Sequence, residues 1–367
     1  MAQLGDLVLA KALLRRAARA FGSKEAVARA RCVVAEAEIA LVSHDLTWPA
    51  KALDAARATL EEHGDRVNVA HACHIEVRRF LLIGRLDEAE RMLAQLDPAP
   101  LPAAWRTAHE LVVAGIAMRR LRTKAARAAL ARAERAARDA GNPVLTAEVE
   151  RASRVLNTPA ARLIGRGEER LLLLDDVEAL LASKALVVDA CRYLVRDQRT
   201  VVSLARRPVL FALARVLGEA CPADVPRRTL LARAFRAKLD DESHRARLRV
   251  EIGRLRTVLR KLADVSATTR GFALVPRSAH EVVVLARPVE EQHATVLALL
   301  AEGESWSSSA LALALGASQR KVQRALESLA SAGKVQSFGR GRARRWSTPP
   351  VPGFTTMLLL PTPLPSD

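Results

Sequence analysis

The sequence predicts a mainly α-helical protein in which helical repeats precede two smaller domains that combine helices with a β-hairpin. Two observations lead to this fold class. Throughout residues 1–160, apolar residues recur at three- and four-residue spacing, which is the period of an amphipathic helix. Further along the chain, a basic helix followed by a Gly-containing hairpin occurs twice, in residues 186–276 and again in residues 290–346. We therefore expect an N-terminal helical part and two C-terminal α+β domains.

The N-terminal part contains a repeat. Three segments share an opening polar turn, small Ala residues on one face and a closing charged turn, and they recur at intervals of about 37 to 39 residues. They are PAKALDAARATLEEHGD from Pro49, LDEAERMLAQLDP from Leu86 and TKAARAALARAERAARDAGNP from Thr123. Longer helices are predicted between them, over residues 66–83 and 103–121. Since small residues let paired helices approach closely, the pattern predicts an α-solenoid of helical hairpins. It resembles tetratricopeptide-like repeats.

Breaks in these patterns set the expected domain boundaries. Pro159, Gly165 and Gly167 interrupt the helical pattern, which predicts a linker that leads into a short helix. The last residues of the chain are rich in Pro and are predicted to form a tail, either disordered or docked on a neighbour. The predicted parts are the helical repeats (1–160), the linker and helix (161–185), a middle domain (186–288), a C-terminal domain (289–348) and the tail (349–367).

The middle domain begins with short β-rich pieces around a polar turn at residues 196–198. Helices are predicted from Pro208 and Pro226, because Pro is favoured in the first helical turn. The basic helix HRARLRVEIGRLRTVLRKL and the hairpin SATTRGFALVP follow. This order, with the VEIGRLR core and the TTRGFALVP hairpin, resembles the DNA-binding domain of OmpR/PhoB-type response regulators. The resemblance implies a winged helix-turn-helix fold, whose third helix enters the major groove while the hairpin, or wing, contacts the DNA backbone.

The C-terminal domain contains a second helix-turn-helix pattern. The segment LGASQRKVQRALESLASAGKV places Gly316 in a turn, Ser318 as the expected N-cap, and a basic helix over residues 319–332. The hairpin sequence KVQSFGRGRARRWS follows this helix. The segment resembles the winged domains of MarR- or IclR-type regulators, which implies a second DNA-binding winged helix.

The charge of the chain favours a polyanionic partner. There are 58 Lys and Arg residues against 40 Asp and Glu residues, which gives a formal net charge of +18. Most of this excess lies in the two basic helices and the second hairpin. Residues 243–261 hold seven basic residues and one acidic residue, and residues 319–346 hold eight and one. Because concentrated positive charge attracts nucleic acid, we expect double-stranded DNA as the partner.

The expected DNA contacts of the middle domain lie beside an apolar stripe. Five residues at alternating spacings of four and three should pack on the core: Leu248, Ile252, Leu255, Leu259 and Leu262. The basic side chains beside this stripe project outward, and the OmpR-type resemblance maps contacts with DNA onto four positions of the helix. With one flanking arginine and one wing arginine added, the predicted set is Arg247, Val250, Arg254, Arg256, Arg260 and Arg270.

The basic helix of the C-terminal domain also combines an apolar stripe with polar and basic residues that face outward. Its basic helix should bury Val322, Leu326 and Leu329. Four residues near the start of the helix face away from that stripe, where base contacts are usually made, and Gln pairs with adenine as Arg does with guanine. These residues are Gln319, Arg320, Gln323 and Arg324. Four wing arginines suit phosphate or minor-groove contacts, namely Arg340, Arg342, Arg344 and Arg345.

The sequence does not predict an enzyme, a metal or a cofactor. His71 and His74 share a helix face and could bind a metal with His109, but two histidines alone are not a site. A nucleotide-binding loop, a nucleophile elbow and an HExxH motif are all missing from the sequence. The four cysteines lack metal-like spacing, and neither a signal peptide nor a membrane-length apolar run is present. We expect a cytoplasmic, nucleoid-associated protein with no membrane partner.

These features together predict a bacterial-type transcription regulator. Its helical repeats would sense a ligand or bind a partner, such as RNA polymerase or another protein, and its two winged helices would bind DNA. Two alternatives remain open: a repeat scaffold whose winged helices bind proteins, and an architectural protein that binds DNA without sequence preference. A homodimer on a palindromic site and a monomer on a bipartite site are both compatible with two winged domains.

Overall fold

The computed structural model describes residues 7–21, 25–42, 45–46, 48–99, 101–235, 242–279, 281–288, 293–300, 305–339, 341 and 344–347. These residues contain fifteen α-helices and eleven β-strands, which confirms the mainly α class. The chain divides into two compact units. One unit consists of residues 156–292. The other contains the described residues before residue 156 and those from residue 293 onward.

Eight helices lie in the described part of the N-terminal region. The two long helices expected between the repeat segments are present as α4 and α6, with bounds within two residues of those predicted. The Ala-rich face of α7 is buried, since Ala126, Ala129 and Ala133 have no exposed surface. The helices are α1 (Leu7–Ala20), α2 (Ala26–Val42), α3 (Ala50–Glu62), α4 (Arg66–Leu82), α5 (Leu86–Leu93), α6 (Ala103–Arg119), α7 (Thr123–Ala140) and α8 (Pro143–Leu156).

One turn geometry recurs in this array. Gly84, between α4 and α5, and Leu121, between α6 and α7, both have left-handed backbones, with φ of 76° and 53°. In each turn the next residue donates its N–H to the carbonyl oxygen five residues earlier, at 2.9 Å after Gly84 and 2.8 Å after Leu121. A left-handed residue after a helix satisfies its last carbonyl groups. The same turn also follows α3 at Gly64, where the N–H of Asp65 donates to the carbonyl oxygen of Leu60 at 2.9 Å, so it is a common way in which these helices end.

A six-stranded sheet forms one side of the middle unit, in the order β2-β1-β9-β3-β4-β5. Strands β3 and β9 are parallel, and the other neighbouring strands are antiparallel. Helix α10 (Pro208–Ala220) packs closely on this sheet, since a Cβ added at Gly218 would lie 3.1 Å from Cγ2 of Val188. The strands are β1 (Ala161–Gly165), β2 (Glu168–Leu172), β3 (Leu186–Asp189), β4 (Leu194–Arg196), β5 (Val201–Ser203) and β9 (Val282–Ala286).

Residues 161–185, predicted to be a linker and a helix, differ from that expectation in their first half. They provide strands β1 and β2 and then helix α9 (Leu174–Ala182). Arg166 and Gly167 join the strands with φ of 52° and 81°, and two such residues make the tight turn that antiparallel hairpins favour. Strand β1 also pairs with β9, so the segment belongs to the sheet.

Two further helices and a hairpin complete the middle unit. They are α11 (Arg227–Phe235), α12 (Glu242–Leu259), β7 (Ala263–Ala267) and β8 (Gly271–Pro276). A short strand, β6 (Val225–Pro226), pairs with β8 and forms a three-stranded sheet in the order β6-β8-β7. The apolar stripe predicted for α12 is confirmed, because its five residues are at most 2% exposed and share one core with α10: Leu248, Ile252, Leu255, Leu259 and Leu262.

The described residues of the C-terminal part form three helices and a two-stranded hairpin. The predicted turn is confirmed by Gly316, whose φ is 58°, and the predicted cap by Ser318, whose hydroxyl accepts the N–H of Lys321 at 3.4 Å. The stripe of Val322, Leu326 and Leu329 is buried as expected. The elements are α13 (Ala294–Leu300), α14 (Ser308–Ala314), α15 (Gln319–Ser331), β10 (Gln336–Phe338) and β11 (Arg345–Ser347).

Two tryptophans connect the C-terminal hairpin to the chain before α14. Trp306 and Trp346 exchange two backbone hydrogen bonds, both of 2.8 Å. Both residues are buried, at 1% and 4% exposed. The strand pair β10–β11 therefore has a third, single-residue partner, which fixes one edge of the hairpin.

We predict opposite effects for alanine at two glycines of the middle unit. A Cβ at Gly271 would lie 1.8 Å from the backbone oxygen of Val225, whereas a Cβ at Gly253, in α12, would meet nothing within 4 Å. Gly271→Ala should lower the free energy of unfolding by about 2–4 kcal/mol, because backbone must move. Gly253→Ala should raise it by up to about 1 kcal/mol through helix propensity. Urea unfolding followed by circular dichroism measures both, and equal effects would contradict the tight β6–β8 contact.

Candidate nucleic-acid interface

Helix α12 presents its predicted contact residues on the side away from the leucine stripe. Arg247, Val250 and Arg254 are all exposed, and Val250 is an apolar residue with 54% of its surface accessible. The guanidinium of Arg247 lies over the ring of Phe235 at 5.0 Å. Stacking of this kind orders an arginine without neutralising its charge.

Arg254 has an acidic neighbour on its own helix. Its guanidinium donates to Oε1 of Glu251 at 2.7 Å. The carboxylate is mostly shielded, whereas the arginine remains 64% exposed. Both residues line an open cleft of about 550 Å³ beside the start of α10, together with Arg207 and Val258. Binding of a DNA phosphate or base by Arg254 therefore has to compete with an existing ion pair.

Arg256 is held by the hairpin. Its Nε donates to the backbone oxygen of Val265 in β7 at 2.6 Å, and its guanidinium lies 6.0 Å from the ring centre of Phe272 in β8. The side chain thus connects α12 to both strands of the hairpin. Predicted as a DNA contact, Arg256 has a structural role that its position in the sequence did not reveal.

A second arginine, which the sequence analysis missed, forms hydrogen bonds with the hairpin turn. Arg227, at the start of α11, donates to the carbonyl oxygens of Thr269 at 3.1 Å and Thr268 at 3.3 Å. Its guanidinium also lies 5.5 Å from the ring centre of Phe272. These long-range contacts leave no local signal in the sequence, beyond a basic residue after Pro226.

The hairpin turn also has its own hydrogen bonds. The Thr268 hydroxyl donates to Oδ2 of Asp224 at 2.6 Å and accepts the N–H of Gly271 at 2.9 Å. Arg270 lies in this ordered turn with its side chain exposed, and Arg260 is exposed at the end of α12. These two residues are placed as the sequence suggested, and their contact with DNA stays a prediction.

Helix α15 exposes all four of its predicted contact residues, which lie in two rows of i, i+4 neighbours: Gln319, Arg320, Gln323 and Arg324. Gln319 also donates from Nε2 to the Ser308 hydroxyl at 3.2 Å, which links α15 to α14. Within the described part of the chain, Arg320 and Arg324 have no acidic partner. Two cations one helical turn apart repel each other, so the face is suited to an anion.

One of the arginines predicted to contact DNA packs against the second hairpin. Arg344 lies over the Trp346 ring at 4.4 Å and donates to the Ser337 hydroxyl at 3.1 Å. Arg345 is half-buried in β11. Arg340 and Arg342 lie outside the described residues. A further residue that the sequence analysis missed is Phe338, an aromatic side chain that is 52% exposed at the end of β10.

The histidines considered as metal ligands pack inside the N-terminal array. Nε2 of His74 lies 3.2 Å from Nδ1 of His109, and Nε2 of His71 lies 3.4 Å from Oε2 of Glu38. Burial lowers the pKa of His71 and of His74 to about 4, and it lowers the pKa of His109 as well. In the residues that the structure covers, no group of three or more potential ligands is arranged for a metal ion.

Comparison of the chain with protein-family models, with curated proteins and with solved structures finds no significant match. Among helices in the described ranges, none combines the length and the apolar character that a bilayer crossing requires.

We predict that Arg256 stabilises the protein and that Arg260 does not. Arg256→Ala removes the hydrogen bond to Val265 and should lower the free energy of unfolding by about 1 kcal/mol. Arg260→Ala, directly after the same helix, is the matched control, and it should change that free energy by less than about 0.5 kcal/mol. Urea unfolding distinguishes the two. Equal stability of both variants would show that the Arg256 contact does not hold the hairpin.

Proposed function

We propose that the protein is a DNA-binding transcription regulator with two winged helix-turn-helix domains. In this proposal, α10–α12 with β6–β8 form the first domain, and α13–α15 with β10 and β11 form the second. The observation that carries the proposal is the outer face of α15, where Arg320, Gln323 and Arg324 are exposed opposite a buried stripe. A helix with bidentate donors on its outer face and a short hairpin behind it fits the major groove.

Helix α15 is the better candidate for reading base sequence. Its arginines are not engaged by acids in the described residues, and Arg and Gln can each form two hydrogen bonds with one base. On α12, by contrast, Arg254 is paired with Glu251 and Arg256 is bound to Val265. We therefore assign α15 to base contacts, and α12 with Arg260 and Arg270 to phosphates. Affinity should fall steeply with salt, because phosphate contacts release counterions.

The helical array would supply the regulatory input. We infer that α1–α8 form an α-solenoid, on the basis of the repeat in the sequence and the buried alanine face of α7. Stacked helical pairs offer an extended surface for a partner. RNA polymerase, another protein and a second copy of this chain are all partners of the kind such a surface binds. A protein with this function would lie in the cytoplasm, associated with the nucleoid.

The experiment that tests this function measures binding to duplex DNA and its sequence preference. Purified full-length protein is used to select genomic fragments at near-physiological salt, and the retained fragments are sequenced. We expect one enriched motif. With a labelled duplex carrying that motif, Arg324→Ala should weaken binding about tenfold, as the loss of one base contact does.

The matched control is Arg151→Ala, which removes an exposed arginine from α8 and should leave affinity unchanged. Binding without an enriched motif would favour the architectural protein. No binding to DNA at any salt concentration would contradict the proposal and favour the scaffold that binds proteins.

A further inference from the structure

The two aromatic residues of the C-terminal hairpin differ in burial. Trp346 in β11 is buried, at 4% exposed, whereas Phe338 in β10 is 52% exposed. All three residues of β10 are exposed. Phe338 is also the last residue of its strand, directly before the turn that connects β10 to β11.

The strand register explains this difference. Ser337 pairs with Trp346, and Phe338 pairs with Arg345. Because successive side chains alternate between the faces of a strand, Trp346 and Ser337 share the inner face. Arg344 covers that face by stacking on Trp346. Phe338 and Arg345 share the outer face, where residues directly opposite each other have neighbouring side chains.

The sequence around Phe338 is basic. Gly339 and Gly341 follow Phe338 with left-handed φ values of 78° and 56°, and neither adds a side chain beside the aromatic ring. Residues 334–347 contain no Asp or Glu. An exposed aromatic ring in a stretch of sequence without acidic residues suits a polyanion that also offers flat apolar surfaces. Duplex DNA combines both properties, since its stacked bases lie between two rows of phosphates.

We propose that Phe338 inserts between two base pairs from the minor groove and bends the DNA. This inference rests on the proposed function and adds the conformation of the bound duplex. Proteins that bend DNA through the minor groove commonly insert an apolar side chain such as Phe, which partly unstacks one base step. Arg345, beside Phe338, is placed to contact a phosphate next to that step. The bend brings flanking DNA toward the protein.

The test uses the full-length protein and a mixed-sequence duplex of about 30 base pairs with a central TpA step, which is easily kinked. Donor and acceptor dyes at its ends report bending as energy transfer. A 2-aminopurine at the step reports unstacking as increased fluorescence. Binding is measured at low salt, where sequence-independent affinity is sufficient. The variants are Phe338→Ala, Phe338→Leu and, as a control on the same strand face, Gln336→Ala.

We expect the natural protein to increase both signals. Phe338→Ala should bind about tenfold more weakly and lose both signals, since one stacking contact is removed. Phe338→Leu and Gln336→Ala should keep most of the bend. If the natural protein and Phe338→Ala bind with equal affinity and equal energy transfer, the insertion is wrong while DNA binding stands. If no form binds the duplex, the proposed function fails, and the insertion fails with it.

Discussion

The candidate interface depends on one constraint, which is that α12 and α15 each bury a single apolar stripe. Leu248, Ile252 and Leu255 have almost no exposed surface, and neither has Leu326 in α15. Burying one such side chain stabilises the fold by about 1.5–3 kcal/mol, so rotation of either helix about its axis would be costly. The outward side chains are therefore fixed as a group. The stripe decides which positions of each helix face outward, and the sequence places basic residues at many of those positions.

A second constraint fixes where the first hairpin lies relative to α12. Gly271 allows the backbone of β8 to approach Val225, and no other residue fits there without movement of the main chain. Arg256 and Arg227 then connect the hairpin to two helices. Both arginines keep their charge, but these contacts hold their side chains against the hairpin, which limits how far they can reach toward DNA. The second hairpin has an analogous anchor in Arg344, stacked on Trp346.

Local patterns in the sequence predicted the helices, the apolar stripes, and the Gly316 and Ser318 turn, because each depends on residues near one another in the chain. The sheet was harder to predict. The parallel pairing of β3 with β9 joins segments between which α10, α11, α12 and the β7–β8 hairpin all lie. The linker assignment of 161–185 missed the hairpin turn at Arg166, where a non-glycine residue is left-handed. The role of Arg256 depends on the distant carbonyl of Val265, which no local pattern specifies.

Site-specific crosslinking to DNA would show whether the outer face of α15 contacts the duplex. A photo-crosslinking amino acid is placed at position 323, on the outer face of α15, or at position 144, where the natural valine is 73% exposed in α8. Each protein is irradiated with labelled duplex DNA. We expect a covalent complex when the photo-crosslinking residue replaces Gln323 and none when it replaces Val144. Equal crosslinking from both positions, or none from position 323 while the protein retains the duplex, would contradict DNA binding by α15.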